Sequence, residues 1–191
     1  MKNLWNYLLK LLTKSKVTTK KTVKVRPGYL SRFFSLNEMI RSQTATRHNL
    51  KNVPNKFQIE NLKALCLNIL DPIRVKFGPT YVSSGFRQPE VNKLDRGYYK
   101  SQHMKAEAGD IENFTVSNID LWKWIVLESG LDFDQVIAEF VGEGGNAGWI
   151  HVSYKRTGQN RNKISIAKKI KGKTRYFHYT LEQIKAGKYK F

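Results

Sequence analysis

The stretch V-I-A-E-F-V-G-E-G-G-N-A-G-W-I-H-V-S-Y, Val136 to Tyr154, decides the fold. Two short runs rich in Val, Ile and aromatics flank a Gly-rich turn, and this composition predicts two strands, Val136 to Val141 and Trp149 to Tyr154, closed as a hairpin. A turn centred near Gly145 sets Glu139 across from His151 on one face of the pair. A slip of one residue would send Glu139 to the other face. Glu139 stands in an otherwise apolar strand, where a carboxylate is costly unless it has a partner or a task.

Upstream, helical patterns come first. Ser35 precedes L-N-E and supplies the N-cap and the Glu38 of a capping box, so a helix to about Ser42 is expected. A second helix, from about Gln58 to Leu70, gathers Ile59, Leu62, Leu65, Cys66, Ile69 and Leu70 on one face. It should stop at Asp71-Pro72, because the residue before proline is pushed out of helical geometry. Tyr81 and Val82 read as strand, Pro89 to Leu94 as a short helix, Ala108 to Ile111 as strand, and Ile119 to Ser129 as a helix closed by Gly130. Beyond the deciding hairpin, Lys163 to Lys169 and Thr174 to Tyr179 form another around Lys171-Gly172-Lys173. Helices gather early and strands late, an α+β pattern.

The 191 residues suffice for one domain with appendages, and no run approaches the roughly 20 apolar residues of a membrane span. The formal charge of +19 is confined to the ends. Residues 1–26 hold eight Lys or Arg and no acid, and residues 155–191 hold twelve against Glu182 alone, whereas the stretch between is balanced at fourteen of each sign. The central domain is therefore not a basic patch. Three parts are expected: a basic N-terminal helix and arm over 1–27, the central domain over 28–154, and a basic hairpin extension over 155–191. Leu4, Trp5, Leu8, Leu11 and Leu12 fall at helical spacing. That helix could lie on an anionic membrane, dock on its own domain, or be a degenerate secretion signal. As a signal it is poor, since Lys10 interrupts it and no small-residue cleavage site follows.

The single cysteine, Cys66, excludes an internal disulfide framework and reads as a small core residue. A metal would then need His and carboxylate, donors that suit zinc at a catalytic position better than at a structural one. His103 and Asp110 lie within S-Q-H-M-K-A-E-A-G-D, and His151 arrives in W-I-H. Spacing alone leaves two readings open: a metal site, or a surface histidine, a capping aspartate and a packed strand histidine.

With S-G-F-R at Ser84 to Arg87, then Ser101, His103, Ala108 and Asp110, then Trp149 and His151, the chain resembles the D-alanyl-D-alanine carboxypeptidase family of zinc metallopeptidases. That family includes vancomycin-resistance dipeptidases, muramoyl-peptide hydrolases and phage endolysins, and its pattern is S-G-Y/F-R, S-x-H-x-x-G-x-A-x-D and a distant W-x-H. S-L-N-E-M-I-R-S-Q-T-A-T-R, N-x-P at Asn52 to Pro54, E-N-L-K-A-L, L-D-P-I-R and F-D-Q-V-I are similar to a phage and bacterial subgroup. The resemblance runs from about Phe33 to Tyr154.

It implies an α+β fold in which a small, mainly antiparallel sheet carries the zinc site and helices pack against it. It also implies zinc on His103, Asp110 and His151, with one position open for water, and hydrolysis of peptidoglycan stem peptides at the bacterial cell wall. Arg87 would stabilise charge on the scissile carbonyl, the alternative being a structural salt bridge. Ser101 either meets a substrate terminus or shapes the turn before His103. The best-known members carry a glutamate three residues before the last histidine, and that position here is Gly148. Glu139 is the preferred general base, with Glu143 as the alternative. Gln135, Asp134 and Trp149 are placed behind the ligands, orienting them. Ala106 stands where the family usually has glycine, a change that a negative φ would tolerate. A member without a working base would be a zinc-bearing module that binds wall or nucleic acid. The basic ends suit anionic wall polymers or membrane surfaces; the Tyr and Phe among the C-terminal cations also suit single-stranded nucleic acid.

Overall fold

The computed structural model describes residues 25–190. The expected N-terminal amphipathic helix, and the arm as far as residue 24, lie outside the described residues. Ser35 caps α1 (Leu36–Ile40), its side chain accepting from the Glu38 N–H. The single helix expected to reach Ser42 is two short ones. Arg41 is extended, and Ser42 caps α2 (Gln43–Arg47) by accepting from the Ala45 N–H.

The next helix also departs from expectation. α3 (Lys56–Leu65) starts on a capping box between Asn55 and Gln58, and Asp71-Pro72 does not end the coil. A π turn, Cys66–Leu70, carries the chain into α4 (Asp71–Phe77), with the Asp71 N–H bonded to the Cys66 carbonyl. Proline inside a regular helix loses a hydrogen bond and clashes with the carbonyl four residues back. The widened turn lies just ahead of Pro72, which therefore sits in the first turn of a new segment where its missing N–H does no harm. Cys66 is fully buried, and burial pushes its thiol well above the usual range.

β1 (Thr80–Ser84) follows, then α5 (Pro89–Leu94), β2 (Ala108–Asn113), α6 (Asn118–Leu127), β3 (Gln135–Glu139) and β4 (Trp149–Ser153). The chain closes with β5 (Lys163–Ile170), β6 (Lys173–Tyr179) and a short α7 (Leu181–Lys185) capped by Thr180. The fold is α+β: one six-stranded sheet in the order β1-β2-β4-β3-β5-β6, antiparallel at every junction except β3 with β5. The C-terminal hairpin thus continues the sheet of the central domain. Its two-residue turn uses Lys171 and Gly172, both at positive φ, the conformation that matches the twist of paired strands.

Strand alternation divides the sheet into two faces. Val82, Ile111, Ile150, Val152, Val136, Ala138, Ile164 and Ile166 belong to one core with Leu62, Leu65 and Ile69 from the α3 region and Leu121, Trp122 and Ile125 of α6. Each such large side chain, fully buried, contributes about 1.5–3 kcal/mol. The opposite face holds Asp110, His151 and Glu139. Among the described residues no helix is long and apolar enough to cross a membrane.

Candidate metal centre

The S-G-F-R segment has a physical reason at each position. A β-bulge between Val82 and Ser84 ends the regular ladder and brings Ser84 opposite Asp110. At Gly85 an added Cβ would stand 2.2 Å from the Met39 carbonyl oxygen, so a side chain cannot fit without moving backbone. The close approach lets the Phe86 N–H donate to that carbonyl at 2.8 Å and drops the Phe86 ring into the core. The Gly85 carbonyl accepts from His103 Nδ1 at 2.7 Å. Arg87 donates from Nε to Ser84 Oγ at 2.7 Å and from Nη2 to Asp110 Oδ2 at 2.6 Å.

His103 sits on a 3₁₀ turn (Gln102–Lys105) whose N-cap, Ser101, accepts the His103 N–H through its hydroxyl at 3.3 Å. This contact is the turn-shaping one of the two roles considered for Ser101. Ala106 ends the turn in the left-handed region at φ +59°, so the expectation of a negative φ there is corrected. A Cβ in that conformation costs about 1–2 kcal/mol. The Ala106 methyl is completely buried, which offsets part of the cost.

From these supports three donor atoms converge. Asp110 on β2 and His151 on β4 are direct cross-strand partners, and Asp110 Oδ1 lies 2.9 Å from His151 Nδ1. His103 Nε2 lies 3.2 Å from each of them. Three donors around a tetrahedral zinc, each about 2.0–2.1 Å from it, stand about 3.3–3.4 Å apart. All three residues are buried. Because Nδ1 of His103 must carry the proton given to Gly85, its Nε2 presents a lone pair to the cluster. Burial lowers the His103 pKa against the pull of Asp110 and keeps the ring neutral. Burial also opposes charge on Asp110, but His103 and His151 outweigh it and hold that carboxyl well below the usual range. Two imidazoles and a carboxylate turned inward fit a divalent cation.

Glu139 ends β3 on the same face. Its cross-strand partner is Trp149, and Ile137 faces His151, so the expected Glu139–His151 pairing is corrected by two residues. The turn is centred one residue earlier than Gly145. An even shift preserves the face, and Glu139 stays beside the cluster. Burial first, then the charge of Asp110, raises its carboxyl from 4.5 to about 7, while His151 and Arg87 pull the other way. Glu143 lies exposed in the turn beyond.

Asp134 and Gln135 make no hydrogen bond to a histidine, contrary to expectation. Gln135 is at the far end of β3 from Glu139, where its carbonyl accepts from Ser153 Oγ. Asp134 accepts from Arg161, from Lys155 at 2.9 Å and from Gln102 Nε2 at 3.0 Å. The group that fixes His103 is the Gly85 carbonyl, a backbone atom that side-chain reasoning could not rank. Trp149 packs edge-on against Phe140 with ring centroids 4.9 Å apart, and its indole nitrogen is buried with no hydrogen-bond partner.

An α+β domain that turns two imidazoles and an aspartate inward, with a carboxyl near neutrality beside them, has the donor set of a metal-dependent hydrolase. A family model described as Peptidase M15 matches residues 32–153, and the chain belongs to this family of zinc D-Ala-D-Ala carboxypeptidase-like metallopeptidases. A search of curated proteins finds no match.

Proposed function

We propose that the protein is a zinc-dependent peptidase that hydrolyses peptide bonds in peptidoglycan stem peptides, at the terminal D-Ala-D-Ala bond or at a cross-link. The observation that carries this reading is the convergence of His103 Nε2, His151 Nδ1 and Asp110 Oδ1 at 2.9–3.2 Å, with the Glu139 carboxyl on the same sheet face.

His103, Asp110 and His151 would hold the ion, which supplies Lewis-acid polarisation of a carbonyl and acidification of water at neutral pH. Gly85 keeps His103 in the tautomer that offers Nε2. Arg87 clamps the second oxygen of Asp110, so that Oδ1 alone faces the histidines. In the metal-free site burial and the charge of Asp110 raise the Glu139 carboxyl to about 7, and a carboxyl raised in this way suits a group that removes a proton from water and returns it to the leaving amine. Gly148 cannot serve in that role, and Glu139 fills it from the neighbouring strand.

The site of action is the bacterial cell wall. The cations of the C-terminal hairpin, Lys168, Lys169, Lys171, Lys173 and Arg175, would hold the enzyme near anionic wall polymers. Full-length protein loaded with zinc is incubated with purified muropeptides, both pentapeptide monomers and cross-linked dimers, and the products are separated by chromatography with mass detection. Release of D-alanine or opening of the cross-link is expected, and Glu139→Gln should abolish it with zinc still bound. Bound zinc without turnover on any muropeptide would leave the non-catalytic wall- or nucleic-acid-binding module.

A further inference from the structure

The loop between α5 and the His103 turn carries two tyrosines side by side, both open to water. Tyr98 is 64% exposed and Tyr99 70%, with ring centroids 4.7 Å apart in an edge-to-face pair. A single exposed ring needs no explanation, but two adjoining ones form a continuous aromatic patch, the kind of surface that meets a ligand. The loop beneath them is fixed. Arg96 turns it at φ +55°, the Gly97 N–H donates to the Asn92 carbonyl at 2.8 Å, and the Tyr98 carbonyl accepts from Asn92 Nδ2 at 3.0 Å and from the Ser101 N–H at 2.9 Å. An added Cβ at Gly97 would stand 2.2 Å from Asn92 Oδ1, so the backbone there lies hard against a buried side chain. A loop held in this way presents its rings to a ligand at little cost in ordering.

Both ends of the loop reach the cluster. Asp95, at its start, lies 4.0 Å from Nε of Arg87, whose Nη2 holds Asp110. Ser101, at its end, accepts the His103 N–H through its hydroxyl. A chain extended from Tyr98 to His103 would cover at most roughly 18 Å. The Tyr98–Ser101 and Ser101–His103 bonds fold it twice, so the backbone under the rings stands well inside that distance of His103. In peptidoglycan the stem peptide between the sugar and the bond cut spans up to roughly 14 Å. With that bond at the cluster, the sugar falls within reach of the tyrosine pair. Arg96 and Lys100 flank the rings, both exposed, and Lys100 Nζ stands 5.1 Å from the Tyr99 ring centre. Their charge complements the carboxylates of the stem.

We propose that Tyr98 and Tyr99 form a sugar-binding platform on the rim of the site, on which an amino-sugar ring of the glycan strand stacks while its stem peptide runs to His103, Asp110 and His151. A pyranose ring presents C–H bonds on one face, and these pack against the negative face of an aromatic ring. The preferred substrate is then the sugar-bearing muropeptide, with the free stem peptide a poorer one.

This inference rests on the peptidase reading, and the test separates the two. Full-length, zinc-loaded protein is titrated in a calorimeter with a disaccharide-tetrapeptide, a product that cannot be cut again at the same bond, and with the same tetrapeptide lacking its sugars. The wild type should bind the sugar-bearing ligand about tenfold more tightly. In Tyr98→Ala/Tyr99→Ala, which truncates two exposed side chains and leaves the core intact, the preference should drop below about twofold with affinity for the free tetrapeptide unchanged. Equal affinity of the wild type for the two ligands, or binding of neither, overturns the proposal. So does a variant that keeps the full preference. A variant that weakens both ligands alike, or also loses zinc, traces the effect to the loop that bears His103 and overturns it too. Turnover of muropeptides decides the peptidase reading separately: a sugar preference in a protein that cuts nothing keeps the platform and sinks the hydrolase, and turnover without a sugar preference does the reverse.

Discussion

Asp110 and His151 face each other across neighbouring antiparallel strands, Oδ1 to Nδ1 at 2.9 Å, while the other oxygen of the same carboxylate is held by Arg87 at 2.6 Å. In the proposed zinc site one side chain would thus be both a metal donor and the counter-ion of a partly buried guanidinium. Asp110→Asn should remove both functions at once. Zinc affinity should fall by more than the roughly 10–100-fold that loss of an outer partner costs. Stability of the metal-free protein should fall by about 3 kcal/mol, the low end for breaking a buried pair, because the partly buried Arg87 loses its nearest counter-ion and keeps only Asp95, at 4.0 Å. Calorimetric zinc titration and urea unfolding measure the two effects. Zinc binding of wild-type strength in this variant would show that Asp110 is not a ligand.

Arg87 tests whether its clamp on Asp110 matters more than contact with substrate. Lysine keeps the charge but cannot make two fixed bonds from one planar group. If the clamp dominates, Arg87→Lys weakens zinc binding about 10–100-fold. A variant that binds zinc normally and loses only kcat would assign Arg87 to the substrate instead.

Glu139 predicts a pH signature that needs no substrate. A carboxyl whose folded pKa is raised from 4.5 to about 7 destabilises the fold where it must ionise. The cost is absent below about pH 4.5, grows through pH 7 and is complete above it. In the metal-free protein, Glu139→Gln should therefore be more stable than wild type by about 2–3 kcal/mol at pH 8 and equal to it near pH 4.5. Urea unfolding at the two pH values measures the gap, and a gap of the same size at both would rule out buried ionisation as its source.

The parts legible in the sequence were those with a local cause. Ser35 announced α1 because an N-cap acts within one turn, and the strands of the site showed through their Val, Ile and aromatic content. The face of Glu139 was legible although its partner was not, since alternation fixes the face and only turn geometry fixes the register. What stayed hidden depends on distant backbone. Nothing near Pro72 in sequence signals a π turn in place of a helix end. Ala106 shows no sign of a positive φ, because alanine rarely adopts one. The Gly85 carbonyl carries no side-chain signature, and the parallel pairing of β3 with β5 joins segments whose order a hairpin pattern cannot give.

Asp134 was expected beside a histidine and instead ties the C-terminal segment to the turn that bears His103. Its side chain is fully buried and grips Arg161, Lys155 and Gln102, while its backbone carbonyl accepts the Lys163 N–H at the start of β5. Burial opposes the charge, but the bonds from Arg161 and Lys155 prevail and hold the carboxyl at about 2. A carboxyl depressed from 3.8 to about 2 contributes stability that is present above pH 3.8 and lost as the pH falls through 2. Asp134→Asn should cost about 2 kcal/mol at pH 7, and that difference should vanish near pH 2. Because Gln102 adjoins His103, the same variant should also weaken zinc binding severalfold without touching a ligand. Urea unfolding across the pH range and zinc titration at pH 7 test both halves. A stability loss that persists unchanged to pH 2 would mean the side chain acts by packing, since its charge is gone there.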